Sequence, residues 1–397
     1  MHNELLDRLT EFPFRRLAAT LAGVPTPAGL QPLDLGLGEP QHQPPPLLAE
    51  TVARNAHLWN RYPPVNGSVD NRSACAAWLT RRYALPEGAV DPQRHILPLA
   101  GTKEGLFMLP SVVVPGRKAG QQPAVLMPNP VYNVYYGGAV LARAEPVLMP
   151  ATADTGFLPD LDALDEPLLA RTALMYLCTP ANPQGAAADA DYLRRAIGLA
   201  RRHGFLLVVD ECYAEIWDQE PPPGALAAAW ALDGSFANLV VMHSLSKRSN
   251  AAGLRSGFCA GDPEVLGHFF KLRAYAAPVQ PLPLLAAATA LWRDEAHVEA
   301  NRALYRRKFD IAERRLSNRF GFFRPAGGFF LWLDVGDGEQ AALRLWREAA
   351  LRVLPGGYLG AEAEGGGNPG ARYIRLALVH DEAVVEQAVD RLIEVLG

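Results

Sequence analysis

The chain has 397 residues, long enough for two domains, and its 49% hydrophobic and 20% charged residues are ordinary for a soluble globular protein. The formal net charge of −4 excludes the strongly basic character of a polyanion-binding protein. The four cysteines are widely spaced and lack the Cys-x-x-Cys pattern of zinc sites, so we expect no metal site, no disulfide framework and a reducing compartment. They are Cys75, Cys178, Cys212 and Cys259.

The N-terminal residues have neither of the two patterns that direct a chain to a membrane. Glu4 and Asp7 interrupt the first apolar residues, and no apolar run approaches the ~18 residues that a spanning helix needs. The sequence therefore predicts no signal peptide and no membrane anchor, and we expect a cytoplasmic location.

From about residue 47 onward, short apolar runs alternate with helix-length segments. The predicted strands are 95–99, 124–127, 173–177, 205–209 and 239–243, and the predicted helices include 70–84, 102–113 and 188–203. Strands rich in Val, Leu and Ile that are separated by helices indicate an α/β fold. Its sheet should be largely parallel and covered by helices on both faces.

The two ends of the chain have a different pattern. The N-terminus begins with a short amphipathic segment and ends in a Pro-rich stretch, and a second Pro-rich patch covers 278–283. Beyond it, a long helical pattern at 296–317 and strands at 329–335 and 373–378 indicate a smaller α+β unit. We therefore predict a large domain of 47–283 and a small domain of 1–46 and 284–397. The glycine-rich segment 360–370 predicts a flexible loop.

Lys247 is the first candidate for chemistry. It follows the apolar run 239–242, is flanked by Ser244 and Ser246, and has Arg255 eight positions later. Its amine can bond covalently to an aldehyde cofactor, while the hydroxyls and the guanidinium can bind a phosphate. Because most lysines are solvated surface charges, this interpretation needs support from other segments.

Asp210 ends the predicted strand 205–209, and ligands gather at the carboxyl ends of strands in an open parallel sheet. A carboxylate there can pair with a protonated pyridine nitrogen; the alternatives are a helix N-cap and a surface acid. Tyr213, three residues later, and Asn182 can contact the phenolic oxygen of such a ring. Asn182 precedes Pro183 and is equally typical of a turn.

Gly101, Thr102 and Lys103 follow the strand 95–99 and open a helix. A helix N-terminus presents unpaired N–H groups and a positive dipole end, both of which suit a phosphate. The sequence contains neither a Walker A motif nor G-x-G-x-x-G, which disfavours nucleoside triphosphates and dinucleotides.

Two further features have alternative explanations. Tyr132 or Tyr135 can stack on a flat cofactor, or both can pack in the core. Arg375 lies inside an apolar strand, where a guanidinium needs an anionic partner. That partner is either a substrate carboxylate or an internal salt bridge.

Taken together, these pieces resemble the class I/II aminotransferases of fold type I, which depend on pyridoxal 5′-phosphate. The resemblance spans residues 37 to 375, and the ordered set is far more specific than any of its members. The matching elements, in chain order, are Leu37–Pro40, Arg61-Tyr62 with Gly67, Gly101–Glu104, Tyr132, Asn182-Pro183 with Gly185, Asp210 with Tyr213, Ser244-x-Ser246-Lys247, Arg255 with Gly257, and Arg375.

The resemblance implies a role for each residue. Lys247 binds the aldehyde and forms the catalytic set with Asp210, at the pyridine nitrogen, and Tyr213, which contacts the phenolic oxygen with Asn182. Tyr132 stacks on the ring. The groups expected around the phosphate are Gly101, Thr102, Lys103, Ser244, Ser246, Arg255 and, from the neighbouring subunit of a homodimer, Tyr62. The groups expected around the substrate carboxylate are Arg375, Asn182 and the backbone of Gly38.

Within the class, segments 61–64, 210–216, 243–250 and 368–379 look like those of N-succinyldiaminopimelate aminotransferases, which act in lysine synthesis. The implied reaction exchanges an amino group between L-glutamate and N-succinyl-2-amino-6-oxopimelate. The alternatives are an aminotransferase with another specificity, a pyridoxal-phosphate-dependent C–S lyase or a racemase-like activity. A cofactor-binding sensor is disfavoured, because no DNA-binding segment is present. The candidates for the distal carboxylate or the succinyl group are Arg61, Arg72 and Arg248, and Tyr358 either lines the pocket or packs in the core.

Overall fold

The computed structural model describes residues 1–276, 279–362 and 366–397. Its strands are β1 (Leu33–Asp34), β2 (Ile96–Leu99), β3 (Ala124–Asn129), β4 (Glu145–Pro150), β5 (Thr172–Cys178), β6 (Leu206–Asp210), β7 (Leu239–Ser244), β8 (Gly257–Gly261), β9 (Phe330–Asp334), β10 (Leu351–Arg352), β11 (Leu354–Pro355) and β12 (Tyr373–Ala377).

The α-helices are α1 (Pro13–Leu21), α2 (Pro46–Arg54), α3 (Val69–Arg82), α4 (Thr102–Val113), α5 (Asn133–Leu141), α6 (Glu166–Arg171), α7 (Ala190–His203), α8 (Ala225–Asp233), α9 (Leu245–Arg248), α10 (Pro263–Ala276), α11 (Leu282–Arg293), α12 (Ala296–Leu316), α13 (Gly338–Ala349) and α14 (Glu382–Leu396). Short 3-10 turns cover Glu4–Arg8, Ala56–Leu58, Ala153–Thr155, Ala252–Leu254 and Gly356–Tyr358.

The large sheet has the strand order β2-β8-β7-β6-β5-β3-β4. Strands β3 to β7 run parallel to one another, whereas β8 is antiparallel to both of its neighbours, β2 and β7. The predicted largely parallel sheet is confirmed, and each of its five predicted strands is present. Strands β4 and β8 are additions that the sequence pattern did not indicate.

Apolar clusters cover both faces of this sheet. One face packs against α3, α7, α8 and α11, and the other packs against α4, α5 and α10. Local signals explain where the helices begin and end. Helix α7, for example, begins where the Asp189 carboxylate accepts the N–H of Tyr192, and it ends at Gly204, whose φ of +61° suits glycine.

A smaller unit follows, in which β9, β11 and β12 form an antiparallel sheet that packs against α12, α13 and α14. Strand β1 pairs in parallel with β10, which places Leu33–Asp34 beside this C-terminal unit. Helix α11, assigned mostly to the small domain by the predicted boundary, packs Leu291 and Trp292 in the same apolar cluster as Trp78 of α3. The exact domain boundaries stay a prediction.

Two sequence predictions fall partly outside the described residues. The flexible loop 360–370 includes 363–365, and the second Pro-rich patch includes Pro278, neither of which the structure describes. Within the described ranges, no helix combines the length and the apolar composition needed to cross a membrane.

Candidate active site

A cavity of about 540 Å³ lies at the carboxyl ends of β5, β6 and β7, where ligands gather in open α/β sheets. Most of the predicted site residues line it, although they come from segments far apart in the chain. They are Gly38, Thr102, Lys103, Tyr132, Asn182, Asp210, Tyr213, Ser244, Ser246, Lys247, Arg255 and Arg375.

Lys247 lies in the short helix α9, directly after β7. Its Nζ donates to the backbone oxygen of Gly38 at 2.5 Å and lies 5.2 Å from the ring centre of Phe329. Burial, together with the nearby positive charge of Arg375, lowers the pKa of Lys247 to about 8. The neutral amine, which is the form that attacks an aldehyde, is therefore far more populated near physiological pH than in an ordinary lysine.

Asp210 is the last residue of β6 and is buried. The hydroxyl of Tyr135 donates to its Oδ2 at 2.8 Å, and the backbone N–H of Cys212 donates to its Oδ1 at 3.2 Å. Burial raises the pKa of Asp210, while these two hydrogen bonds oppose that rise. The carboxylate is fixed at the cavity wall, where it can pair with a cationic ring nitrogen.

The predicted phosphate groups surround the N-terminus of α4. Gly101, with a φ of +86°, precedes this helix, and a Cβ at this position would overlap the guanidinium of Arg255. Ser244 caps α9 by accepting the N–H of Ser246 at 3.1 Å. Thr102 lies close by, with its Oγ1 3.1 Å from the sulfur of Cys212. Hydroxyl groups, a guanidinium and a helix N-terminus thus converge as an anion site.

Arg375, in β12, is buried without a carboxylate partner among the described residues. Its Nη1 donates to the amide oxygen of Asn182 at 3.0 Å, its Nη2 donates to the backbone oxygen of Gly36 at 2.8 Å, and its Nε has no partner. Burial lowers its pKa to about 10. Among the described residues Arg375 forms no internal salt bridge, which was one of the two explanations for this arginine. The guanidinium keeps a charge and a donor available to a ligand.

Two tyrosines contribute aromatic walls. Tyr132 stands at the N-cap of α5, and burial raises its pKa to about 12. Tyr213 packs edge-on against Phe329 and Phe330, and its buried hydroxyl also has a raised pKa. Both phenols are therefore protonated near neutral pH and can donate hydrogen bonds.

Some predicted residues lie elsewhere. Tyr62 and Arg61 are exposed and do not line this cavity. Arg72 is wrong as a candidate for the distal group, because its donors bind the backbone oxygens of Asn66, Gly67 and Pro92 and the side chain of Gln93.

Arg248 is also wrong as a candidate, since it is buried away from the cavity and binds Glu295 at 2.7 Å and the backbone oxygen of Leu291 at 2.7 Å. Tyr358 packs in a satellite cluster and bonds Thr20 at 2.7 Å, so it does not line the pocket. Sequence reasoning missed Tyr135 as the partner of Asp210 and missed Cys212 and Phe330 in the wall. The only sequence signal for Tyr135 was its place beside Tyr132.

These residues fit a flat, phosphorylated aldehyde. The anion site and the carboxylate of Asp210 both line the cavity that holds the depressed-pKa amine of Lys247. Glycine at position 101 leaves room for the guanidinium of Arg255, which a Cβ there would overlap. The cavity can therefore hold pyridoxal phosphate with its phosphate at α4 and its ring nitrogen at Asp210.

The comparison with known families agrees with this geometry. Residues 31–392 match the family described as "Aminotransferase class I and II". The chain belongs to this family, whose members are transferases that depend on pyridoxal phosphate. The predicted fold class is confirmed as well.

Individual relatives cover nearly the whole chain. An aminotransferase from Neisseria meningitidis is 38% identical with a TM-score of 0.94 over 100% of both chains. The 4-dedimethylamino-4-oxo-anhydrotetracycline transaminase OxyQ of Streptomyces rimosus is 33% identical over 96% of both. An LL-diaminopimelate aminotransferase of Desulforudis audaxviator is 31% identical over 93% of this chain and 91% of its own. A probable N-succinyldiaminopimelate aminotransferase of Thermus thermophilus is 27% identical, with a TM-score of 0.81 over 96% and 100%.

Proposed function

We propose that this aminotransferase exchanges the amino group between L-glutamate and N-succinyl-2-amino-6-oxopimelate. The observation that carries the proposal is a cavity whose wall holds two cationic side chains, Arg375 and Lys103, that we assign to the substrate. For the side chain of Lys103, this assignment replaces the phosphate role that the family resemblance implied. The Nζ of Lys103 lies 5.5 Å from the ring centre of Phe12, on the N-terminal segment that also lines the cavity. A substrate with carboxylates at both ends would satisfy both cations.

The names of two relatives support a diaminopimelate-type substrate, since one is an LL-diaminopimelate aminotransferase and the other is a probable N-succinyldiaminopimelate aminotransferase. The OxyQ relative has a different substrate, which keeps an aminotransferase of another specificity as the alternative. A C–S lyase activity is the remaining alternative on the same site.

Each residue has one task in the proposed reaction. When bound, pyridoxal phosphate supplies an aldehyde that takes up the amino group and a cationic ring that draws electrons from the substrate Cα. Lys247, once the substrate amine has displaced its own, would take the proton from the substrate Cα and deliver it to the carbon that was the aldehyde of the cofactor. Asp210 keeps the ring nitrogen protonated, and Arg375 with Asn182 holds the α-carboxylate. Tyr213 donates a hydrogen bond to the phenolic oxygen.

We also propose a homodimer in which Tyr62 reaches the phosphate of the neighbouring subunit. Tyr62 is fully exposed in the single chain and does not line its own cavity, which supports a role towards a second copy. A cytoplasmic location is proposed too, and it is supported by the free thiols of the cysteines.

The test is a panel of amino donors and keto acceptors, read by the spectral change between the aldehyde and amine forms of the cofactor. N-succinyl-diaminopimelate should give the highest kcat/KM, and replacing Lys103 with Ala should raise its KM while leaving that of alanine unchanged. If N-succinyl-diaminopimelate performs no better than aspartate, the substrate assignment fails. Ammonia and pyruvate release from cystathionine would point to the lyase instead.

A further inference from the structure

Tyr135 is a buried phenol next to the proposed ring partner. It lies in α5, and its hydroxyl donates to Oδ2 of Asp210 at 2.8 Å. The backbone N–H of Cys212 donates to Oδ1 of the same carboxylate at 3.2 Å. Each carboxylate oxygen of Asp210 therefore has one donor from the protein. Since a carboxylate oxygen accepts two hydrogen bonds, each can still face a ligand.

The phenol is itself held in place on two sides. The ring of Tyr135 stacks on that of Tyr176, with centres 4.4 Å apart and planes 9° apart, and Tyr132 meets it edge-on at 5.5 Å. The hydroxyl of Tyr176 donates to the backbone oxygen of Leu106 at 2.5 Å, which anchors the stack to α4. Tyr135 therefore cannot leave Asp210 without breaking an aromatic stack.

The direction of the hydrogen bond is fixed by charge. Burial and the neighbouring carboxylate of Asp210 raise the pKa of Tyr135 far above its usual value, so the phenol is always the donor. Its hydrogen bond favours the ionised form of Asp210, whereas burial favours the neutral form. The thiol and the backbone N–H of Cys212 and the neighbouring His243 act in the same direction as the phenol, so Tyr135 is one of the groups that help this carboxylate to stay charged.

We infer that Tyr135 is a positioning residue that acts through Asp210. It fixes which edges of the carboxylate face the cavity and keeps that carboxylate ionised, so that the ring nitrogen of the cofactor stays protonated. This inference rests on the proposed pairing of Asp210 with that nitrogen, but not on the identity of the substrate. Tyr132, in contrast, is the residue of the pair that is expected to stack on the ring.

The test compares Tyr135→Phe with Tyr176→Phe, which removes a nearby buried hydroxyl that does not touch Asp210. In apoenzyme labelled with ¹³C-aspartate, the signal of Asp210 is assigned by its loss in Asp210→Asn and followed against pH. A hydrogen bond to a charged group is lost only in Tyr135→Phe, so the titration should move up by about one to two pH units there and stay in place in Tyr176→Phe.

The holoenzyme gives a second readout. The ¹⁵N chemical shift of the labelled pyridine nitrogen should move towards the unprotonated value in Tyr135→Phe, and kcat should fall about tenfold or more while the KM for the amino donor changes little. Site-specific 3,5-difluorotyrosine at position 135 is a more acidic donor and should shift the Asp210 titration downward. This variant keeps the stack and tests the inference even if the Phe variant folds poorly.

The inference is overturned if Asp210 titrates identically in the wild type and in both position-135 variants. It is overturned as well if the ¹⁵N chemical shift of the pyridine nitrogen is the same in Tyr135→Phe as in the wild type. The expected shifts together with a failed substrate panel would leave the inference standing and remove only the substrate proposal.

Discussion

Asp210 and Glu211 are adjacent carboxylates that meet opposite environments. Asp210 faces the cavity with one protein donor on each oxygen. Glu211 is buried and accepts the hydroxyl of Tyr83 at 3.0 Å and the N–H of Ala225 at 2.7 Å, and its Oε2 lies 3.0 Å from Nε2 of His243. At the end of β6, Asp210 can thus still accept hydrogen bonds from a ligand, whereas the partners of Glu211 all lie within the protein. A binding site is made where the fold leaves a polar group incomplete.

Two lysines show the same contrast. Lys247 has one acceptor, at Gly38, and lines the cavity. Lys308 is buried in α12, donates to the backbone oxygen of Leu378 at 2.9 Å and lies 2.8 Å from Nε2 of His42, away from the cavity. Burial lowers the pKa of both amines, to about 8 for Lys247 and about 7 for Lys308. We expect changes at groups that face the cavity, such as Asp210 and Lys247, to reduce activity. Changes at buried groups whose partners lie within the protein, such as Glu211 and Lys308, should alter stability instead.

The largest effect is expected for Lys247→Ala. Without the amine, turnover should fall by about 10⁴-fold or more and the absorbance of the covalently bound cofactor should vanish, since proton transfer and covalent attachment both need it. The free energy of unfolding of the apoenzyme, measured in urea, should be unchanged or higher. Retained steady-state transamination would contradict the assignment.

Glu215→Gln tests a buried carboxylate whose partners lie within the protein. Glu215 is buried and pairs with Arg82 of α3 at 2.6 Å and with Arg302 of α12 at 3.3 Å. Neutralising it leaves both guanidinium groups without the negative charge of this partner. The free energy of unfolding should fall by about 3 kcal/mol or more, with kcat of the folded enzyme unchanged. Glu382→Gln, which removes a half-exposed pair with Arg307, is the control and should cost less than about 1 kcal/mol. Equal losses in both variants would refute the contrast.

Arg375→Lys keeps the charge at the cavity but removes the planar fork. Because the fork binds Asn182 and Gly36 and is expected to bind the substrate carboxylate, kcat/KM should fall about ten- to a hundredfold, mainly through KM. Initial rates with glutamate measure it. Arg372→Lys, on the exposed start of the same segment, is the matched control, and an Arg375→Lys enzyme as active as that control would end this role.

The smallest effect is expected for Lys308→Met, and it depends on pH. The pKa of Lys308 is about 7 in the folded chain against an ordinary 10.5, so the unfolded chain binds more protons between these values. The free energy of unfolding of the wild type should therefore rise with pH across that window. The destabilisation caused by burying the charged amine is greatest below pH 7.

Met fills a similar volume without a charge. The variant should be more stable by about 2 kcal/mol at pH 7, and the gain should shrink as the pH approaches 10.5. Urea unfolding at pH 7 and pH 9 measures the difference between the two proteins. A gain that stays the same at both pH values would show that the lysine is not neutral in the folded state.

The sequence was informative wherever one residue type determines local structure. The runs at β5, β6 and β7 are apolar and rich in Leu or Val, and each was predicted. Strand β8 was missed because it begins and ends with glycine, at Gly257 and Gly261, and glycine has a low strand propensity. At Gly257 a Cβ would lie 2.6 Å from the backbone oxygen of His243, so close packing selects glycine against strand propensity. Strand β4 was missed because it contains two prolines.

The site was predictable in its members and not in their mutual contacts. Lys247, Asp210 and Arg375 follow apolar runs or lie inside one, and the fold brings them to one cavity. The hydrogen bond of Tyr135 to Asp210 joins residues 75 positions apart and depends on how α5 packs over the sheet. Arg72 was misjudged because its partners are backbone oxygens, which no residue type in the sequence reveals.

The cavity differs in sign from the molecule around it. The whole chain carries a formal charge of −4, yet among the described residues that line the cavity the charged side chains are the cations Lys103, Lys247, Arg255 and Arg375 and one anion, Asp210. A positive recess in a negative body concentrates field lines and draws small dianions inward while it repels cationic amines. The association rates of the phosphorylated cofactor and of dicarboxylates should therefore fall as ionic strength rises, at salt concentrations that still leave kcat unchanged.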